Sequence, residues 1–360
     1  MKIVISTGGT GGHIYPAIAL ADYMQDNLND IEITFTGSSS HMEKDIVTKA
    51  GYEFTGYALK SGSRSIFHKL LQYMQLTVAL VKMYFKFLFN RPDLVMGFGA
   101  YITAPTLMAA KFLNIPIVLH EQNSSIGKTN EMFFNTAALV IVCYPDLKTQ
   151  LDSDKVLLLG NPRASQVANI KKDASLISEL ELDVNKKTLL VVMGSLGSET
   201  VNEAMSNLIP SLEYKDYQMI LVTGKKHYDS FCLMDPVANV KILPYVDQAA
   251  MLASVDLVIA RGGATTAAEI CALGIPSIII PSPYVSNDHQ YINALELEKV
   301  GAAKIIKEDE LTLEALIETI DAIINSDEKL TAMHEAALTL AMPNASETIT
   351  NAIVESLKDA

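Results

Sequence analysis

Short runs of β-branched and aliphatic residues alternate along the whole chain with longer stretches in which apolar positions recur at helical spacing. The runs are KIVIS, IEITFTG, DLVMGFG, IPIVLHE, ALVIVC, KVLLLG, TLLVVMG, QMILVTG, VKILPY, DLVIARGG and IPSIIIPS. Most are apolar without strict alternation, as expected of strands covered on both faces. Strands of that kind, separated by helical segments, predict parallel βαβ units. The expected fold class is α/β.

The pattern also repeats within the chain. DLVMGFGAYITAPTLMAAKFLNIPIVLHEQN, from Asp93, parallels DLVIARGGATTAAEICALGIPSIIIPSPY, from Asp256, in the order strand, glycine turn, helix, Ile-Pro, strand. More loosely, KIVIS before GGTGGH corresponds to TLLVVM before GSLGS. Two Rossmann-like halves account for both, with a junction near Gly160, Asn161 and Pro162. The last helical pattern, Ser346 to Leu357, follows Met342, Pro343 and Asn344 and is expected to cross back to the first half. The expected domains are residues 1–161 with 344–360, and residues 162–343. Open α/β sheets bind ligands outside the carboxyl ends of their strands. Two such sheets facing each other would put the site in the cleft between them.

Composition narrows the class. A chain of 360 residues, 49% hydrophobic, can fill two cores without disulfide or metal staples. Cys143, Cys232 and Cys271 lie far apart with no C-x-x-C, which predicts buried thiols in a reducing compartment and no zinc site. The opening MKIVISTGG is too short in apolar residues for a secretory leader, so a cytosolic location is expected. A net charge of −13 speaks against nonspecific nucleic-acid binding.

That acidity is uneven. Between Phe54 and Pro92 there is no Asp or Glu, while Lys60, Arg64, Lys69, Lys82, Lys86 and Arg91 are interspersed with large apolar residues. Lys82 and Lys86 interrupt the apolar run, which falls short of the roughly 18 residues of a spanning helix. The expectation for residues 66–89 is a basic helix lying on an anionic leaflet, with Lys69, Lys82, Phe85, Lys86 and Phe87 facing the membrane. A core helix with solvated lysines is the alternative.

The glycine loops carry the candidate chemistry. Gly8, Gly9, Gly11 and Gly12 follow the first strand and open a helix expected to begin near Tyr15 and Pro16. Glycine allows close backbone approach, and free N–H groups at a helix start attract anions. A tight strand-to-helix turn is the plainer alternative. The spacing is neither G-x-G-x-x-G nor G-x-x-x-x-G-K-[ST], so neither a dinucleotide nor a P-loop nucleotide is favoured. His13 could be a general base, a donor to phosphate, or a cap. Gly97 to Tyr101 offers a second loop, and Gly194 to Ser198 and Arg261 to Thr266 could hold a diphosphate. Glu269, seven residues after Gly262, could accept both hydroxyls of a ribose, or could be an exposed helix residue. Asp152-Ser153-Asp154 lies in a polar stretch and predicts a solvated turn, so no metal is assigned.

GGTGGHIYPA, GFGAY, HEQN (His120 to Asn123), GNPR (Gly160 to Arg163), GSLGS, PYVD (Pro244 to Asp247), RGGATTAAE and NDHQ (Asn287 to Gln290) occur in the order seen in the MurG family, which the chain resembles over nearly its whole length. That family transfers N-acetylglucosamine in converting lipid I to lipid II. The resemblance implies a two-domain GT-B fold and an inverting transferase using UDP-N-acetylglucosamine and a lipid-linked muramyl-pentapeptide acceptor. It also implies no cofactor and a peripheral site on the cytoplasmic face of the membrane, with cell-wall synthesis proteins as candidate partners. Carried over by motif, Thr10, Gly11, Gly12 and Asn123 look like donor contacts, with Arg163 beside the diphosphate. Ser195 looks like a phosphate contact, the Val246 backbone like the uracil reader, and Ala264, Thr265 and Thr266 like diphosphate and sugar contacts. Glu269 looks like the ribose ligand and Gln290 like a sugar hydroxyl contact. His13, the first candidate for the base, falls with Gly99 and Tyr101 on the acceptor side. Two departures stand out: Arg163 follows Pro162 directly where the family often has one residue more, and MGSLGS replaces the commoner GGSQG. A UDP-N-acetylglucosamine 2-epimerase and a catalytically silent nucleotide-sugar-binding subunit remain rivals at this point.

Overall fold

The computed structural model describes residues 1–59, 66–194 and 197–358, without the side chains of residues 66–69 and 286. It divides into two compact units, Met1–Gln166 with Asn344–Ala360, and Val167–Pro343. This boundary lies a few residues beyond Gly160–Pro162, because the chain after Pro162 is still tied to the first unit. The Arg163 guanidinium stands 5.9 Å over the Tyr15 ring. The Ser165 hydroxyl accepts the Ser346 N–H at 2.9 Å, at the head of a return helix, Ala345–Lys358, that packs on helix Gly11–Asn27.

The first unit holds a seven-stranded parallel sheet of β1 (Lys2–Ser6), β2 (Glu32–Ser38), β3 (Glu53–Tyr57), β4 (Leu94–Gly97), β5 (Ile117–Glu121), β6 (Leu139–Val142) and β7 (Val156–Leu158), in the order β3-β2-β1-β4-β5-β6-β7. The second holds six parallel strands, β8 (Thr188–Val192), β9 (Gln218–Val222), β10 (Val240–Leu243), β11 (Leu257–Ala260), β12 (Ser277–Ile279) and β13 (Ala303–Ile305), in the order β10-β9-β8-β11-β12-β13. Counted from its own first strand, each sheet runs 3-2-1-4-5-6, the doubly wound order. The first adds β7 at its far edge. The internal repeat in the sequence now has a structural meaning: β4 and β11 occupy equivalent places, as do β1 and β8.

Alternation along the strands shows that both faces of the second sheet are covered. Leu189, Val191, Leu257 and Ile259 enter one buried cluster, while Leu190, Val192, Val258 and Ala260 enter another. Successive side chains on a strand point to opposite faces, so continuous apolar runs are needed wherever both faces are dry. Two strands had no such run: β3, EFTGY, and β13, AKI, are edge strands with polar or half-exposed positions. The cysteine expectation holds only in part. Cys271 is buried, Cys143 is partly covered, and Cys232 is exposed where it follows the short helix Tyr228–Phe231.

Candidate active site

Strand order reverses direction beside the first strand of each sheet. Ser6 on β1 is paired with Thr36 and Gly97, and Val192 on β8 with Val222 and Ala260. Connections leave such a strand pair toward opposite faces, which opens a crevice at the carboxyl ends. The glycine loops sit there: GGTGG after β1 and GFGAY after β4 in one unit, GSLGS after β8 and RGG after β11 in the other.

In the first unit the helix begins at Gly11, earlier than expected, so only Gly8 to Thr10 form the turn. Gly9 turns at φ +87°, and a Cβ on Gly8 would stand 2.6 Å from Glu43 Oε1. Glu43 is the support beneath this loop. It is fully buried and accepts the Ser38 N–H at 2.9 Å. Thr10 takes the N-cap position without a side-chain cap bond, and Gly9, Thr10 and Gly12 are exposed. The first N–H groups of a helix have no partner inside it, so this end is suited to an anion. The Arg163 guanidinium over Tyr15 brings a cation alongside the same helix.

His13 lies in that first turn, half-buried, with its Nδ1 2.9 Å from Gln122 Oε1. Gln122 Nε2 is 3.0 Å from His120 Nδ1, and His120 Nε2 is 3.1 Å from the Gly160 carbonyl. Burial pushes the His120 imidazole down to about 4, so the ring is uncharged at neutral pH. It stacks on Phe98 at 4.8 Å between centroids. Gly99 stands beside His13, since a Cβ there would be 3.4 Å from His13 Cε1. Ala100 adopts φ +63°, a strained conformation for a residue with a side chain. Tyr101 is turned inward, its hydroxyl buried without a hydrogen-bond partner among the described residues. Its expected contact with an acceptor would therefore come from the ring or backbone.

The Glu121 carboxylate, also buried, organises the following loop. It accepts Asn123 N and Nδ2, both at 3.1 Å, Gly127 N at 2.9 Å and Asn130 Nδ2 at 2.8 Å. Asn123 is thus presented on a braced loop with its amide nitrogen turned to Glu121. As a motif, HEQN points to Asn123 alone. Three consecutive polar residues ending an apolar strand were the signal for the other members.

In the second unit Arg261 ties three neighbouring segments to the turn after β11. It donates to Ser198 Oγ at 2.6 Å and the Ile280 carbonyl at 3.0 Å, and pairs with the buried Glu308 at 2.6 Å. Ser198 caps helix Glu199–Leu208. Ser195, with Leu196, lies outside the described residues. Gly262 has no room for any side chain, because a Cβ there would meet the Gln290 carbonyl oxygen at 2.1 Å. Asn293 Nδ2 donates to the Gly262 carbonyl at 3.0 Å, and Gln290 Oε1 accepts the Ser282 N–H at 2.8 Å. The structure therefore brings Gln290 against the RGG turn. Ala264, Thr265 and Thr266 form the first turn of helix Ala264–Leu273, whose N-cap, Gly263, supplies no side-chain bond. Glu269 on that helix is buried, not exposed; its Oε2 accepts Gln248 Nε2 at 2.7 Å, and the same nitrogen is 3.3 Å from Thr266 Oγ1. Val246 lies in the loop between β10 and helix Gln248–Leu252, next to Asp247, whose carboxylate caps that helix. Asp152 ends helix Pro145–Leu151 at φ 34°, in a turn as expected.

Residues 66–89 form one helix, Ile66–Phe89, with apolar residues on both a buried and an exposed face. Its inner face, with Ala79, Met83 and Phe87, is buried in the core of the first unit. Phe87 is 1% exposed and cannot face a membrane, which corrects that assignment. Phe85 at 51% belongs instead to an outer stripe with Met74, Val78, Val81 and Phe89. The ammonium of Lys82 donates to the Gly56 carbonyl and that of Lys86 to Thr55 Oγ1, so both lysines reach back to edge strand β3. Desolvation lowers the Lys86 pKa. The Lys69 side chain lies outside the described part. Among the described residues no helix is long and apolar enough to cross a membrane.

Comparison with known proteins places this architecture. Models of the glycosyltransferase family 28 N-terminal and C-terminal domains match residues 3–142 and 188–349. The chain is 39% identical over 361 residues to the UDP-N-acetylglucosamine–N-acetylmuramyl-(pentapeptide) pyrophosphoryl-undecaprenol N-acetylglucosamine transferase of Bacillus pumilus, covering 99% of both chains. It is 38% identical over 368 residues to the transferase of the same name from Lactiplantibacillus plantarum, covering 99% of this chain and all of that one. The crystal structure of Acinetobacter baumannii MurG superposes with a TM-score of 0.79 at 26% identity, over 98% of this chain and 99% of that one. With both halves matched in order and full-length relatives above a third identical, the chain belongs to the MurG family of glycosyltransferase family 28.

Proposed function

We propose that this protein transfers N-acetylglucosamine from UDP-N-acetylglucosamine to the 4-hydroxyl of an undecaprenyl-diphosphate-linked N-acetylmuramyl-pentapeptide, the step from lipid I to lipid II in peptidoglycan synthesis. The observation that carries the reading is full-length similarity to transferases of that name, joined to glycine loops at the switch points of both sheets. In this reading the second unit takes the donor. Ala264, Thr265 and Thr266, at a helix start without a side-chain cap, meet the diphosphate; Glu269 meets the ribose, Val246 the uracil and Gln290 the sugar. Thr10, Gly11, Gly12, Asn123 and Arg163 add contacts from the first unit, whose His13, Gly99 and Tyr101 serve the acceptor.

The acceptor hydroxyl attacks the anomeric carbon from the face opposite UDP, and configuration inverts in a single displacement. UDP departs with growing negative charge, which N–H groups and hydroxyls already oriented toward it stabilise without reorganising. His13 takes the hydroxyl proton. Purified protein given UDP-N-acetylglucosamine and the lipid-linked acceptor is expected to form the disaccharide with the new linkage inverted. Release of the 2-epimer without acceptor would identify an epimerase, and binding without turnover a silent sugar-nucleotide carrier.

The outer stripe of helix Ile66–Phe89 supports a membrane-surface location. An exposed apolar row of this length on a helix without acidic residues suits an interfacial helix. Vesicle binding is expected to rise with anionic lipid, and Phe85→Ser with Phe89→Ser to weaken it even in high salt, where the apolar part survives. Phe87→Ser should act otherwise, lowering stability by about 3 to 5 kcal/mol through a core cavity. Vesicle binding unaffected by the Phe85 and Phe89 changes would remove this face from the membrane.

A further inference from the structure

Two backbone carbonyls determine where each proton sits in the chain of side chains leading to His13. A carbonyl oxygen only accepts, so His120, 3.1 Å from Gly160 O, donates from Nε2. A neutral ring protonated there has a bare Nδ1. Gln122 Nε2 faces that bare nitrogen at 3.0 Å and the His120 carbonyl oxygen at 3.3 Å. Both are acceptors, which fixes the amide nitrogen on this side and Oε1 on the other. Oε1 can only accept, and 2.9 Å away is His13 Nδ1. His13 therefore carries its proton on Nδ1 and keeps a lone pair on Nε2.

We propose that Gln122 is a positioning residue that sets the tautomer of His13, with His120 holding Gln122 in turn. The inference rests on the reading of His13 as the base. In the reaction the 4-hydroxyl gives its proton to His13 Nε2 as its oxygen bonds to the anomeric carbon, and the bond from that carbon to UDP breaks with its electron pair left on the phosphate oxygen. The resulting imidazolium still donates from Nδ1 to Gln122 Oε1, so the charge forms against an acceptor already in place. Without Gln122 either ring nitrogen can hold the proton, and a ring protonated at Nε2 cannot receive another there.

The test is nitrogen NMR of the whole protein labelled with 15N-histidine, read together with steady-state kinetics. In the wild type, the His13 Nδ1 signal should be that of a protonated nitrogen and Nε2 that of a bare one. Gln122→Met should mix the two forms and lower kcat by roughly 10- to 100-fold, part of the 10² to 10⁴ of general-base catalysis. The KM for UDP-N-acetylglucosamine should stay as it is, a separation that loosened packing would not produce. A wild-type ring protonated mainly at Nε2 overturns the proposal whether or not the variant folds. So does a tautomer unchanged in Gln122→Met, or one that is lost while kcat holds. Absence of sugar transfer by the wild type, with the Nδ1–H form present, would instead sink the functional reading and leave the tautomer assignment standing.

Discussion

His13→Ala is expected to lower turnover by roughly 10² to 10⁴ while the dissociation constant for UDP stays unchanged, because a general base acts on the acceptor proton and contributes about that factor. The separation follows from location. His13 sits in the first turn after β1, its ring against Gly99 and its Nδ1 on Gln122, all within the first unit. The groups proposed to grip UDP belong mainly to helix Ala264–Leu273 and its surroundings in the second unit. Isothermal titration with UDP and single-turnover transfer would read the two quantities separately. A fall in UDP affinity that matches the fall in rate would place His13 on the donor side.

The second large effect is expected at Glu269. A buried carboxylate accepting two ribose hydroxyls forms charge-assisted bonds worth roughly 1.5 to 3 kcal/mol, so Glu269→Ala should weaken UDP binding by about 10- to 100-fold. Burial strengthens the case, since a buried carboxylate is retained where partners are supplied. Gln248 supplies one of them. The informative control is UDP lacking both ribose hydroxyls. Wild-type protein should discriminate against it strongly, and the variant should bind the two ligands alike. Equal discrimination in both proteins would mean that Glu269 serves only to hold Gln248 and Thr266.

What the sequence disclosed and withheld follows from burial. Interior strands such as DLVIA and TLLVV advertise themselves because both of their faces are dry. The edges EFTGY and AKI carry Glu53, Thr55 and Lys304 at positions that solvent tolerates, so no apolar run marks them. Helix Ile66–Phe89 was legible as a helix but not in its orientation. With large apolar residues on both faces, nothing in its spacing tells Phe87, inside, from Phe85, outside. At the candidate site, the glycine loops were visible because backbone geometry restricts residue type. His120, Gln122 and Glu121 were not, because their roles depend on which way consecutive side chains point at the end of β5. Glu43 escaped notice for a related reason: a lone Glu in a polar helix reads as solvated until the fold closes Gly8 over it.

The two lysines that reach back to β3 also bear on how copies of this protein coexist at high density. An open sheet edge is a template on which another strand can add. Here Lys82 covers the Gly56 carbonyl and Lys86 sits on Thr55, directly beside an apolar helix face. A strand docking on β3 would have to displace both ammonium groups and bury their charge. Wherever copies are concentrated, these gatekeepers oppose edge-to-edge sheet fusion while leaving the outer apolar stripe of the helix uncovered.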